Sequence, residues 1–180
     1  MNTLSKFLKG RKGGANAILG VVILLGSMFM IMLLLEIGRL YIIVEKIQND
    51  LDASNAATWA VVDRERLAYK QIQFNSVIES RAIGDNRAKQ KFIEFLKRNM
   101  DLNASLGPND PDKYIAGPIT IERFEVYLKS DLPLTNSDRI YINKVSVYSK
   151  INVSIKLMFS MFGDVYQAKV KRVTNLEDDL

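Results

Sequence analysis

Gly13–Leu35 reads GGANAILGVVILLGSMFMIMLLL, twenty-three residues without one charge. Ile18, Leu19, Val21, Val22, Ile23, Leu24 and Leu25 are apolar on every face of a helix, and so is the run Phe29–Leu35. Only Asn16 and Ser27 interrupt it, too few to make the polar face that an amphipathic soluble helix needs. As a helix, residues 14–35 span about 33 Å at ~1.5 Å per residue, against a hydrocarbon core of about 30 Å, so one crossing fits. A helix buried in a globular core is the competing reading, but a chain of 180 residues has little protein to wrap it. A cleavable signal has a shorter apolar region, usually about 7–15 residues, and ends in small residues. This run is longer and ends in Leu33, Leu34, Leu35 and then Glu36, so a retained anchor is expected.

Upstream, Lys6, Lys9, Arg11 and Lys12 precede the first acid, Glu36. Of 25 basic residues these four lie in the tail, leaving 21 against 20 acids, so the net charge of +5 belongs largely to a short tail. The positive-inside rule places that tail, residues 1–13, in the cytoplasm and everything after residue 35 outside the cytoplasmic membrane. The rest of the chain has no basic surface of the kind that grips nucleic acid. The sequence has neither cysteine nor histidine. That excludes disulfides, thiolate nucleophiles, histidine relays and zinc sites built on those residues. No acids or serines cluster to nominate a catalytic pair; we expect no enzyme, no cofactor and no metal.

Downstream, Ile37, Leu40, Val44, Ile47 and Leu51 keep helical spacing, a packing seam. No proline occurs before Pro108, and no glycine or proline lies between Arg39 and Ser80. The helix is therefore expected to continue outward to about Gln71, within a stem assigned to residues 36–79. The seam, if exposed, calls for a partner helix from another subunit or for the head folding back over it. Small residues follow at Ala53, Ser54, Ala56, Ala57 and Ala60. They read either as a close packing surface or as ordinary helix formers.

Residues 80–180 read as a small α+β head. Gly84 reads as a stop and Asp85 or Asn86 as the N-cap of a second helix with Phe92, Phe95, Leu96 and Met100 on one face. Residues 101–118 have loop composition. Ile119 and Ile121 alternate, then Phe124, Val126 and Leu128 with opposite parity, so a bulge near Glu122–Arg123 is expected. Val145, Val147, Ile151, Val153, Ile155 and Leu157 give a strand with one dry face, and Gly163-Asp164 marks a turn before another. Three to four antiparallel strands result, and the polar, acidic tail Asn175 to Leu180 is expected to fray.

The membrane exit reads Glu36-Ile37-Gly38-Arg39-Leu40-Tyr41, followed by Gln48-Asn49, Asp52-Ala53, Ala56 and Ala57. With Lys12-Gly13-Gly14 before the apolar run, this resembles the TadE/TadG-like family of tight-adherence pilus pseudopilins over roughly the first 60 residues. The resemblance implies a pilin-like fold, a single-pass membrane protein of type IV pilus assembly at the cell surface, and pilin-like subunits or platform proteins as partners. It points to Gly13, Gly14 and Ala15 as a candidate peptidase junction. It also points to Glu36, Gly38, Arg39, Val44, Ile47, Gln48, Asn49, Leu51, Asp52 and Ala53 as motif and helix-packing positions. Five residues past a cut, where the family has glutamate, stands Leu19 or Ile18. Much of the protein is accordingly expected to keep its tail, as an accessory component more than a bulk subunit.

Two readings of function stand. One is a pseudopilin-like structural component, touching the bilayer, other subunits and possible copies of itself. The other is an extracytoplasmic binding or sensor module that the anchor merely tethers; a tethered hydrolase is a distant third. Glu36 and Arg39 fit either interfacial anchoring or pairing with a neighbouring helix, and Gly38 either a close approach or a kink.

Overall fold

The computed structural model of the chain describes residues 11–68 and 71–176, with side chains from Ala17 onward. Lys6 and Lys9 of the basic tail and the acids Glu177, Asp178 and Asp179 lie outside the described residues. The fold is α+β: a long apolar N-terminal helix, shorter helices, and a small antiparallel sheet. Two compact units divide between Tyr41 and Ile42.

Helix α1 runs Arg11–Ala56, with no proline to break it. It stops well short of Gln71, correcting the expected extent of the stem. Ser54 Oγ donates to the Asp50 carbonyl (2.6 Å) and Thr58 Oγ1 to the Asn55 carbonyl (2.7 Å). Short hydroxyl side chains that return to the backbone compete with helix propagation. The chain tightens into a 3-10 turn, Ala57–Val61, and Val62 is extended. A short helix α2, Arg64–Ala68, starts where Asp63 Oδ1 accepts the Arg66 N–H (2.9 Å).

Helix α3 spans Arg81–Met100 with Ser80 as N-cap. Gly84 is therefore inside the helix and not a stop. A Cβ there would stand 2.6 Å from Asn75 N and Phe74 C, so the glycine admits a crossing backbone. Gly84, Ala88, Phe92, Leu96 and Met100 form its buried face, while Phe95 is half-buried between Lys91 and Arg98. That face meets the 3-10 turn and the strand Thr120–Tyr127, with the Phe92 and Phe124 rings 4.9 Å apart.

The strands are β1 (Thr120–Tyr127), β2 (Leu134–Thr135), β3 (Tyr141–Ile142), β4 (Ser146–Lys156) and β5 (Val165–Asn175). One antiparallel sheet has the order β1-β4-β5; β2 and β3 make a separate two-stranded hairpin. The β1–β4 register shifts between Ile121 and Arg123, where the parity change in the sequence calls for a bulge. Val147, Ile151, Val153 and Ile155 are fully buried on the dry face of β4. The opposite face is not wholly polar. Tyr148 is buried there with Tyr127 and Ile142, against Leu132, Leu134 and Ile140. The main core joins Phe74, Ala88, Val126, Val145 and Val147 to Leu176. Leu176 donates its N–H to Val145 O (2.8 Å), so Asn175 and Leu176, the start of the tail expected to fray, are held; the remainder of that tail lies outside the described residues.

Candidate functional site: the end of the first helix

Ile47, Leu51, Ser54, Asn55 and Thr58 are completely buried. Their spacings of 4, 3, 1 and 3 put them on one face of a helical turn. All five belong to the unit that begins at Ile42, so the head itself covers this part of the seam. The expected exposed stripe at this level is not there. Val44 is half-buried, and Ile37, at the start of the expected seam, is 55% exposed.

The polar residues on the margin of this face bind the last strand. Asn55 Nδ2 donates to Thr174 Oγ1 (3.0 Å), and Thr174 Oγ1 donates onward to Asp52 Oδ1 (3.1 Å). Arg172 Nε stands 3.0 Å from Asp52 Oδ2, close enough for an ion pair but not aligned as a hydrogen bond. Asn99 Nδ2 reaches Ser54 Oγ (3.3 Å) from α3. Asp52 and Asn55 thus tie α1 to β5, a role that local spacing in the sequence cannot disclose. Gln48 is half-buried; Asn49 and Ala53 face solvent. One turn earlier, Lys46 Nζ lies over the Tyr114 ring (5.4 Å). Burial lifts the Asp50 carboxyl above its ordinary range, against the pull of Lys46 and Lys113. Burial, with Asp50 nearby, pushes the Tyr114 hydroxyl up to about 12.

In the first unit, Glu36 is buried and accepts a hydrogen bond from Arg39 Nη1 (3.2 Å), an i,i+3 pair. A Cβ on Gly38 would meet nothing within 4 Å. Gly13, Gly14 and Ala15 fall within α1. The window from Ala17 onward has a mean hydropathy of 2.9 and is not buried by protein: Ile18 is 68% exposed and Leu24 59%. The core helix of a soluble protein is mostly buried, and this one is not. Among the described residues, one helix, near the N-terminus, is long and apolar enough to cross a membrane.

Two further clusters brace the head. Arg81 donates from Nη1 and Nη2 to both oxygens of Asp131 (2.7 and 2.6 Å) and from Nη2 to Val126 O (3.0 Å). Asp138 accepts from the Tyr148 hydroxyl and from Lys150 Nζ (2.9 Å), which hold its carboxyl down at about 2. Among the described residues, no three acidic side chains gather in a way that could hold a metal ion. No protein-family model matches the chain, and no curated protein or solved structure does either.

Proposed function

We propose that the chain is a membrane-anchored, pilin-like structural component of a tight-adherence type pilus or a related secretion assembly. Its short basic tail lies in the cytoplasm, residues 14–35 cross the bilayer, and the head is extracytoplasmic. The observation that supports this reading is one continuous helix, Arg11–Ala56. Its apolar first part is uncovered, and its last part carries Gln48-Asn49-x-x-Asp52-Ala53 into the head. Pilin-like subunits and platform proteins would engage the uncovered part. The resemblance of the exit motif to the TadE/TadG-like family is the second support.

The tether reading gains from a different observation. Ile47 and Leu51 are filled by the head of the same chain, so they offer nothing to a neighbour. Replacing residues 14–35 with an unrelated apolar helix separates the two. Assembly that survives the exchange sinks the structural reading, because a tether needs only apolarity. Loss of assembly with a folded, membrane-bound head supports it.

A further inference from the structure

The connection between β4 and β5, residues 157–164, reads LMFSMFGD. Five of these eight residues are apolar, where hairpin connections ordinarily carry Asn, Asp, Gly and Ser. The loop is ordered. Leu157 donates its N–H to Asp164 O (3.0 Å), Ser160–Phe162 form a 3-10 turn, and Gly163 takes φ +108°. The Phe159 and Phe162 rings meet edge to face at 6.3 Å. Around that pair Met158 is 60% exposed, Met161 58%, Val165 43% and Tyr166 46%. Val165 and Tyr166 are consecutive in a strand and so point to opposite faces, yet both are exposed. The hairpin carries apolar side chains on both faces beyond its own core.

Contacts within the head fix the direction of this tip. Asp52 meets Arg172 and Thr174, which pair with Ser149 and Val147. Lys46 meets Tyr114, whose carbonyl accepts the Lys156 N–H (2.7 Å). Going back along the helix from Asp52 to Lys46 therefore follows β4 forward from Ser149 to Lys156, toward the tip. The tip stands at the end of the head where Ile42 enters. Ile42 is seven residues after Leu35, a chain length that spans at most about 25 Å even fully extended. If residues 14–35 cross a bilayer, that end of the head is within reach of its surface.

We propose that the 157–166 tip inserts into the headgroup–acyl boundary of the bilayer that the chain's own helix crosses. Methionine and phenylalanine supply adaptable apolar bulk, and Tyr166 suits the interface, with one apolar body and one polar end. The tip carries Asp164 and no basic residue, so its attraction is apolar and does not depend on anionic lipid. The proposal rests on the membrane-spanning reading of residues 14–35, and the test separates the two.

The chain has no cysteine, so single cysteines can be introduced at Met161, Leu24 and Ser137 and labelled with an environment-sensitive dye. The full chain is reconstituted in phosphatidylcholine vesicles containing a lipid with a shallow quencher or one with a deep quencher. At Met161 we expect blue-shifted emission and strong quenching by the shallow lipid, unchanged at high salt. Ser137 should remain water-like. A Met161 probe that stays water-like while Leu24 is quenched by the deep lipid overturns the proposal and leaves the span intact. A blue-shifted Met161 probe that no lipid quenches places protein over the tip and overturns it as well. Failure of Leu24 to quench overturns the span, and the proposal with it. In a folded chain, Met161→Asn and Val165→Asn together should lower shallow quenching of a probe at Ser160 on the order of tenfold.

Discussion

Helix α1 holds two stretches of similar regularity and opposite consequence. Residues 18–35 are apolar all round and uncovered by protein; residues 43–58 are apolar on one face, and that face is buried. Uniform hydrophobicity makes a surface with no preferred partner side, which suits lipid. Periodic hydrophobicity specifies one side, which a folded head can fill. Backbone geometry is common to both, so the side-chain pattern alone separates the uncovered segment from the covered one.

Charges break the comparison most severely. Asp at both Leu24 and Ile31 should cost roughly 6 kcal/mol of insertion, at about 3 per residue near a span's centre. The variant should leave the alkaline-resistant membrane fraction. Ile47→Asp should stay in that fraction and instead unfold the head, losing on the order of 3–5 kcal/mol as an unpaired charge enters a filled site. Protease resistance in detergent reads that loss, and the half-buried Val44→Asp should cost less. If Ile47→Asp leaves the head as resistant as the parent, the head does not hold this face.

Smaller effects sharpen the picture. Gly84→Ala must push its new Cβ into the Phe74–Asn75 backbone and should cost about 1–3 kcal/mol in thermal unfolding. Asp52→Ala should cost about 1–2 kcal/mol, and a double-mutant cycle with Thr174→Val should show the two losses to be less than additive. Acid should weaken the head through Asp138. Its carboxyl is held below the usual 3.8, so its contribution is complete above that pH and is lost as pH falls toward about 2. Asp138→Asn should flatten the fall in melting temperature over that window. Asp50 acts in the opposite sense: its raised carboxyl relaxes as it protonates, so Asp50→Asn should be neutral to slightly stabilising at pH 7.

The long apolar helix, the bulge before Arg123 and the dry face of β4 were legible because each depends on residues adjacent in sequence. The end of α1 was not. Nothing between Ala56 and Gln71 breaks a helix by propensity; Ser54 and Thr58 turn back to the backbone where the head packs. Gly84 reads as a stop by composition, and only the crossing of Phe74–Asn75 makes it an interior necessity. Asp52 was visible as a motif position and Asn55 only as a neighbour of small residues, and their partner Thr174 is 119 residues beyond Asn55. The 157–164 connection hid because Leu157 reads as the end of the apolar alternation of the strand and the only turn signal, Gly163-Asp164, comes at its far end.

The clasp between Asn55 and Thr174 also sets an order of events during synthesis. Asn55 leaves the ribosome 119 residues ahead of the group that satisfies it. At roughly 5–20 residues per second that interval is on the order of ten seconds. Throughout it, Ile47 and Leu51 lack the strand that closes the face beside them. The newly made protein therefore presents an unfinished helix face before it presents a head. Any factor that must meet this helix in its open form has that interval in which to act, and the arrival of β5 ends it.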